Sequence, residues 1–187
     1  METVRMAAGP EAELFIDANC SLDLYHARQL CQMIEPFHIE FFEEPITQND
    51  IRHMAELRSQ TTIRLACGQN EGQAYRFRDM MIAGAVDIIQ PNVAITGGFT
   101  QCQKIAALAN SFNISVDNGG AWPFFNQHLQ AGLSNGGLVE YHYSSVEVCK
   151  QLYIGLPEPK EGWLKMTNTP GLGFELNIAA LSHFEID

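Results

Sequence analysis

Ile39-Glu40-Phe41-Phe42-Glu43-Glu44-Pro45 is a short, largely apolar run that closes on two acids and a proline. A segment of this length bounded by a turn former reads as a buried strand rather than a helix. The pattern repeats on both sides. Twenty-six residues upstream of Glu43 stands Asp17, in Phe15-Ile16-Asp17-Ala18-Asn19, and twenty-six downstream stands Gln69, in Ala66-Cys67-Gly68-Gln69-Asn70-Glu71. The same interval separates Asn92 from Asn118. Working outward, strands are predicted over Glu13 to Asn19, Ile39 to Glu44, Ile63 to Gln69, Ala85 to Pro91, Ile114 to Asn118 and Leu138 to Tyr143. Amphipathic helices fall between them, over Asp23 to Ile34, Asn49 to Arg58, Gln73 to Ala83, Phe99 to Phe112 and Phe124 to Leu133, with Asn49 or Asp50 as the cap of the second.

Alternation of strand and helix implies a parallel sheet covered by helices, either doubly wound or closed as a barrel. The polar residues decide between these. A doubly wound sheet gathers ligand groups at one switch point, whereas a barrel collects them from the C-terminal ends of many strands. Here nearly every strand ends in polar groups: Asp17 and Asn19, Glu43 and Glu44, Gln69 and Glu71, Gln90 and Asn92, Asp117 and Asn118, Glu140 and His142. The fold class is therefore α/β, an incomplete TIM-type (β/α) barrel with about six βα units where closure takes eight. All of 1–187 reads as one partial barrel domain, with βα repeats over 1–143 and a Pro- and Gly-containing tail over 144–187 that ends in a possible short helix.

Composition narrows the partners. Eleven Lys and Arg against 22 Asp and Glu give a net charge of −11, which repels nucleic acid and anionic membrane surfaces. The longest apolar stretch, Met80 to Ile89, contains Gly84 and Asp87 and is far shorter than a membrane span. No apolar segment follows Met1 to Arg5 as in a signal peptide, so a cytoplasmic location is expected. The five cysteines, Cys20, Cys31, Cys67, Cys102 and Cys149, are odd in number and widely spaced, and are read as reduced thiols.

Asp17 and Asn19 are two residues apart and share a strand face. A buried carboxylate at Asp17 or Glu43 requires a cation or strong donors, and two carboxylates with neighbouring amide oxygens make a hard oxygen cage of the kind Mg²⁺ accepts. Spacing alone leaves open that Asp17 serves a turn and that Glu43 only accepts backbone amides. The ordered set Phe15-Ile16-Asp17-Ala18-Asn19, Phe41-Phe42-Glu43-Glu44-Pro45, Ala66-Cys67-Gly68-Gln69-Asn70-Glu71 and Gln90-Pro91-Asn92 with Gly97-Gly98 resembles the strand ends of the enolase superfamily, mandelate racemase type.

That resemblance implies Mg²⁺ as cofactor, with Asp17 and Glu43 as ligands and Gln69 in the third ligand's place. It also implies abstraction of the proton next to a substrate carboxylate, as in acid-sugar dehydratases and racemases, with a small carboxylate or sugar acid as ligand. Relatives carry an Asp-His pair at places that here hold Asn92 and Asn118, and neither amide titrates. By the same resemblance Asn118 and Glu140 are the candidates for the catalytic wall and Asn92 for a substrate contact; position alone adds Asn19 beside Asp17, His142 two residues from Glu140 on the same strand face, and Trp122 as a pocket wall or as packing. The family's Lys-x-Lys base has no counterpart; Lys104, Lys150, Lys160 and Lys165 fall in a helix or beyond the last strand. Two readings stay open. One is a Mg²⁺-dependent enzyme whose remaining strands come from elsewhere, inactive as this chain alone. The other is a catalytically silent remnant acting as an oligomeric or small-molecule-binding protein. In either, the unpaired barrel edges predict a homo-oligomer or a complementing chain that covers them.

Overall fold

In the computed structural model, which describes residues 1–182, the periodicity resolves into six parallel strands in sequence order: β1 (Leu14–Asp17), β2 (Ile39–Glu43), β3 (Arg64–Cys67), β4 (Ile88–Ile89), β5 (Ser115–Asn118) and β6 (Gly136–Val139). Helices α2 (Leu24–Ile34), α3 (Ile51–Arg58), α4 (Ala74–Ile82), α5 (Gly98–Ser111) and α6 (Pro123–Ala131) join them, and a short α1 (Glu2–Ala8) precedes β1. The result is an incomplete TIM-type barrel of six βα units, as the spacing predicts. Asp23 and Asp50 start α2 and α3, each accepting a backbone N–H three residues on, from His26 and His53 respectively. His183 lies outside the described residues.

Strand alternation sorts the side chains into two cores. Phe42, Leu65, Cys67, Ile89 and Val116 face the helices and join Ile34, Leu57, Phe77, Met80 and Ile105 in the main cluster. Phe41, Ala66 and Ile88 point the other way, into the barrel, where Phe41 also meets Phe15 with ring centroids 4.7 Å apart. On that inner face Asp17 is the register partner of Glu43. Four of the five cysteines are buried and all five are free thiols.

Three local expectations need correction. The last strand starts and ends earlier than Leu138 to Tyr143, because β5 fixes it partly through side chains: Asp117 accepts the Leu138 N–H at 2.7 Å and Asn118 accepts that of Glu140 at 3.2 Å. Strand β4 shrinks to Ile88–Ile89, its ladder flanked by single bonds from Asp87 N–H to Leu65 and from Gln90 N–H to Cys67. The expected loose tail contains α7 (Tyr143–Leu152), an antiparallel hairpin of β7 (Tyr153–Ile154) and β8 (Glu175–Leu176), and the anticipated terminal helix α8 (Ile178–Leu181). Serines and β-branched residues weaken the helical signal of α7, so its formation rests on burying Val146 and Cys149 against Phe124, Tyr153 and Phe174. Among the described residues no helix is long and apolar enough to cross a membrane.

Candidate functional site

The C-terminal ends of β1 to β6 gather the polar residues into one rim. Asp17 sits on the open side and is exposed, not buried as expected; Asn19, itself exposed, folds over it, with its N–H 2.7 Å from Oδ1 and Nδ2 2.8 Å from Oδ2. Glu43 is half-buried one strand away. Burial, opposed by a hydrogen bond from Gln90 and reinforced by the charges of Asp17, Glu140 and Glu44, raises the Glu43 pKa from 4.5 to about 7. The Asp17 pKa is also raised, chiefly by loss of hydration and then by Glu44 and Glu140, against the pull of the Asn19 amide. Among the described residues no Lys or Arg forms an ion pair with Asp17, Glu43, Glu44 or Glu140.

The loop after β5 forms the roof. A Cβ on Gly119 would stand 2.9 Å from Glu43 Oε1 and 2.9 Å from Gln90 Nε2, and one on Gly120, at φ +74°, 3.3 Å from Gln69 Oε1. Only glycine lets this backbone pass so close to the acids. Asn92, with no exposed surface, secures it: Nδ2 reaches the carbonyl oxygens of Gly119, Gly120 and Ala121 at 2.8, 2.9 and 3.2 Å, while Oδ1 accepts the Ala94 N–H at 2.9 Å. That leaves no donor on Asn92 for a substrate hydroxyl. Asn118 is likewise buried, donating to the Gly119 carbonyl and accepting from the Glu140 N–H. Glu140 completes the wall, its Oε2 accepting the Ala121 N–H at 2.7 Å.

Other candidates fall outside this cluster. Because β6 ends at Val139, Glu140 and His142 do not share a strand face; His142 is exposed and caps α7, its Nδ1 accepting from the Ser145 N–H. Trp122 precedes α6 in a left-handed conformation and packs edge-on against Phe125. The residue that sequence reasoning left without a role is Glu44, fully buried at the centre of the rim. Its neighbour Glu43 and the following proline mark a strand end, but nothing in the spacing distinguishes which acid turns inward.

The donor chemistry suits a hard cation only with the amide included. No three His, Cys, Asp or Glu residues among those described converge as a metal-binding group. Asp17, Glu43 and the Gln69 carboxamide together offer two carboxylates and a neutral oxygen with no cationic side chain attached, a set that Mg²⁺ accepts when water fills the remaining positions.

A parallel half-barrel with carboxylates and amides at the C-terminal ends of its strands defines a class of ligand-binding barrel. The chain belongs to the enolase C-terminal domain-like family, whose pattern matches residues 1–180. It is 30% identical over 185 residues to the L-rhamnonate dehydratase of Saccharopolyspora erythraea, a match covering 95% of this chain and 47% of that protein. A crystal structure of a mandelate racemase/muconate lactonizing enzyme superposes with a TM-score of 0.89 at 29% identity, covering 100% of this chain and 52% of the other. The L-talarate dehydratase of Polaromonas sp. JS666, complexed with Mg and L-glucarate, matches with a TM-score of 0.88 at 28% identity over 97% of this chain and 49% of that one. The chain thus spans about half the length of the relatives it matches, which include acid-sugar dehydratases and structures holding magnesium.

Proposed function

We propose that this chain forms the Mg²⁺-binding wall of an acid-sugar dehydratase or racemase, with Asp17, Glu43 and Gln69 as the protein ligands. The observation that carries the reading is the in-register pair Asp17 and Glu43, without a cationic side chain, under a glycine roof. Bound there, Mg²⁺ would stabilise the negative charge that develops when the proton next to a substrate carboxylate is removed. The chain's own residues orient and enclose. Glu140 and Asn118 hold the far wall, Asn92 fixes the roof, and Asn19 orients Asp17. The Asn118 carboxamide, already engaged at both ends, positions Glu140 and moves no proton.

Among the described residues no lysine stands on this rim to serve as the base that the resemblance implies. Lys104 is exposed on α5, Lys150 pairs with Glu147 on α7, and Lys160 and Lys165 are exposed in the C-terminal segment. This favours, for the isolated chain, the alternative of a catalytically silent oligomeric or small-molecule-binding protein. Calorimetric titration with Mg²⁺ tests both readings. Binding by the parent chain and its loss in Asp17→Ala and Glu43→Ala are expected, with no dehydration of L-rhamnonate or other sugar acids. Absence of binding in the parent would refute the metal site, and turnover by the pure chain would refute the silent reading.

We infer further that the free edges of β1 and β6 are covered in solution by a second copy or a complementing chain. Leu138 on β6 and Phe15 on β1 are exposed apolar residues on those edges, at 48% and 40%. Sedimentation at micromolar concentration should therefore report an oligomer, and a monomer there would sink the inference.

A further inference from the structure

Glu44 has no exposed surface and no ion-pair partner among the described residues, yet its carboxylate is not bare. Three carboxamides converge on it. Asn49 Nδ2 donates to Oε1 at 2.9 Å, Gln69 Nε2 donates to Oε2 at 2.9 Å, and Asn70 Nδ2 donates to Oε2 at 3.1 Å. The Glu44 backbone is left-handed, at φ +42°, a conformation that non-glycine residues adopt only when surrounding structure holds them there. Glu43 and Glu44 thereby serve different partners, Glu43 beside Gln90 and Glu44 among the three amides.

Gln69 is the informative member. A carboxamide has two unlike ends, and one free to turn would present its NH₂ to a cation as readily as its oxygen. Here the NH₂ is taken by Glu44, and Oε1 lies on the roof side, 3.3 Å from where a Cβ of Gly120 would stand. Under the same roof, Glu43 Oε1 is 2.9 Å from the Cβ position of Gly119.

We propose that Glu44 is a positioning residue that makes Gln69 an oxygen donor, binding its NH₂ so that Oε1 is left for the Asp17 and Glu43 rim. The inference rests on the Mg²⁺ reading of that rim. It also explains why an amide stands at 69. A carboxylate there would place two acid side chains within hydrogen-bond distance without the amide donor that now joins them. The NH₂ of Gln69 is one of the three donors that satisfy the buried Glu44 oxygens.

A four-protein cycle tests it: parent, Glu44→Gln, Gln69→Glu and the double variant that exchanges the two side chains. Melting is followed in EDTA, and Mg²⁺ affinity is measured by calorimetry with the metal alone. Glu44→Gln leaves one acceptor oxygen for three converging carboxamides, so the Gln69 amide is held less firmly and Mg²⁺ should bind about 10-fold more weakly, the lower end of what removing a ligand's orienting partner costs. Gln69→Glu alone should melt lower than the parent by about 5 °C or more, because the two acids then face each other. The exchange restores a donor between 44 and 69 and should recover the parent's melting point, with Mg²⁺ bound more tightly than in the parent. Recovery of the melting point in the exchange shows only that 44 and 69 are paired, so additive melting shifts would overturn the pairing and, with it, the proposal. Mg²⁺ binding that is indifferent to all three variants would also overturn it, while leaving the metal site intact. No Mg²⁺ binding by the parent would overturn the metal reading itself.

Discussion

Glu43→Gln is expected to stabilise the protein at pH 8 in EDTA and to leave it nearly unchanged at pH 4.5. The reason is the pKa of about 7 that burial and the neighbouring acids impose on Glu43, against an ordinary 4.5. Because the folded pKa is raised, the native state binds more protons than the unfolded chain between those values, so stability falls as pH rises through that window and stays low above it. At about 1.36 kcal/mol per unit, the ionised Glu43 costs the fold about 3 kcal/mol at pH 8. Glutamine keeps the shape without the charge. A gain of this size corresponds to a rise in melting temperature of about 6–12 °C for a domain of this length. Asp17 and Asp117 also have raised values, and Asp23 and Asp50 lowered ones, so the diagnostic quantity is the difference between variant and parent. Mg²⁺ should narrow this gap at pH 8, and reverse it once its concentration exceeds Kd by about 150-fold, since it stabilises only the protein that binds it, by RT ln(1 + [Mg²⁺]/Kd). A parent and variant whose melting points run parallel from pH 4.5 to 8 in EDTA would refute the assignment.

The same prediction shows what could be read from the chain and what could not. The 26-residue interval from Asp17 to Glu43 to Gln69 was legible because each βα unit in a barrel returns the chain to the same rim, and strand ends keep their order. The partnership of Asp17 with Glu43 followed directly, since parallel register places them side by side. The acidity of Glu43 was not legible, because it depends on the roof and on acids from β1, the β2 end and the β6–α7 loop converging in space. Glu44 was hidden for a related reason. Its three amides come from residues 5, 25 and 26 positions away, a grouping that no period in the sequence marks. The edges of β6 were misplaced because side chains of Asp117 and Asn118, rather than backbone carbonyls, take the N–H groups of Leu138 and Glu140.

Asn92→Asp is the second substitution with a large expected effect, and its sign runs against family resemblance. The resemblance implies an acid at this position in many members, so aspartate looks like a repair that would return a titratable group to the wall. The hydrogen bonds say otherwise. Asn92 is fully buried, and its single NH₂ group is the donor for three successive loop carbonyls, those of Gly119, Gly120 and Ala121. An ionised aspartate has no donor and would present negative charge to three oxygens while orphaning them in a buried site. The expected loss is about 3 kcal/mol at pH 8, from unsatisfied carbonyls and an uncompensated buried charge. Protonation returns one donor. The folded-state pKa of the new carboxyl should therefore lie above its unfolded value, and the deficit should shrink as pH falls through the folded pKa. Asn92→Leu removes the donor without adding charge and should be destabilised at every pH alike. Since Gly119 and Gly120 form the roof over Glu43 and Gln69, loosening this clamp should also weaken Mg²⁺ binding in both variants. Denaturant melts at pH 8 and pH 4.5 separate the two cases: an Asn92→Asp protein as stable as the parent at pH 8 would mean that the loop does not depend on the Asn92 amide.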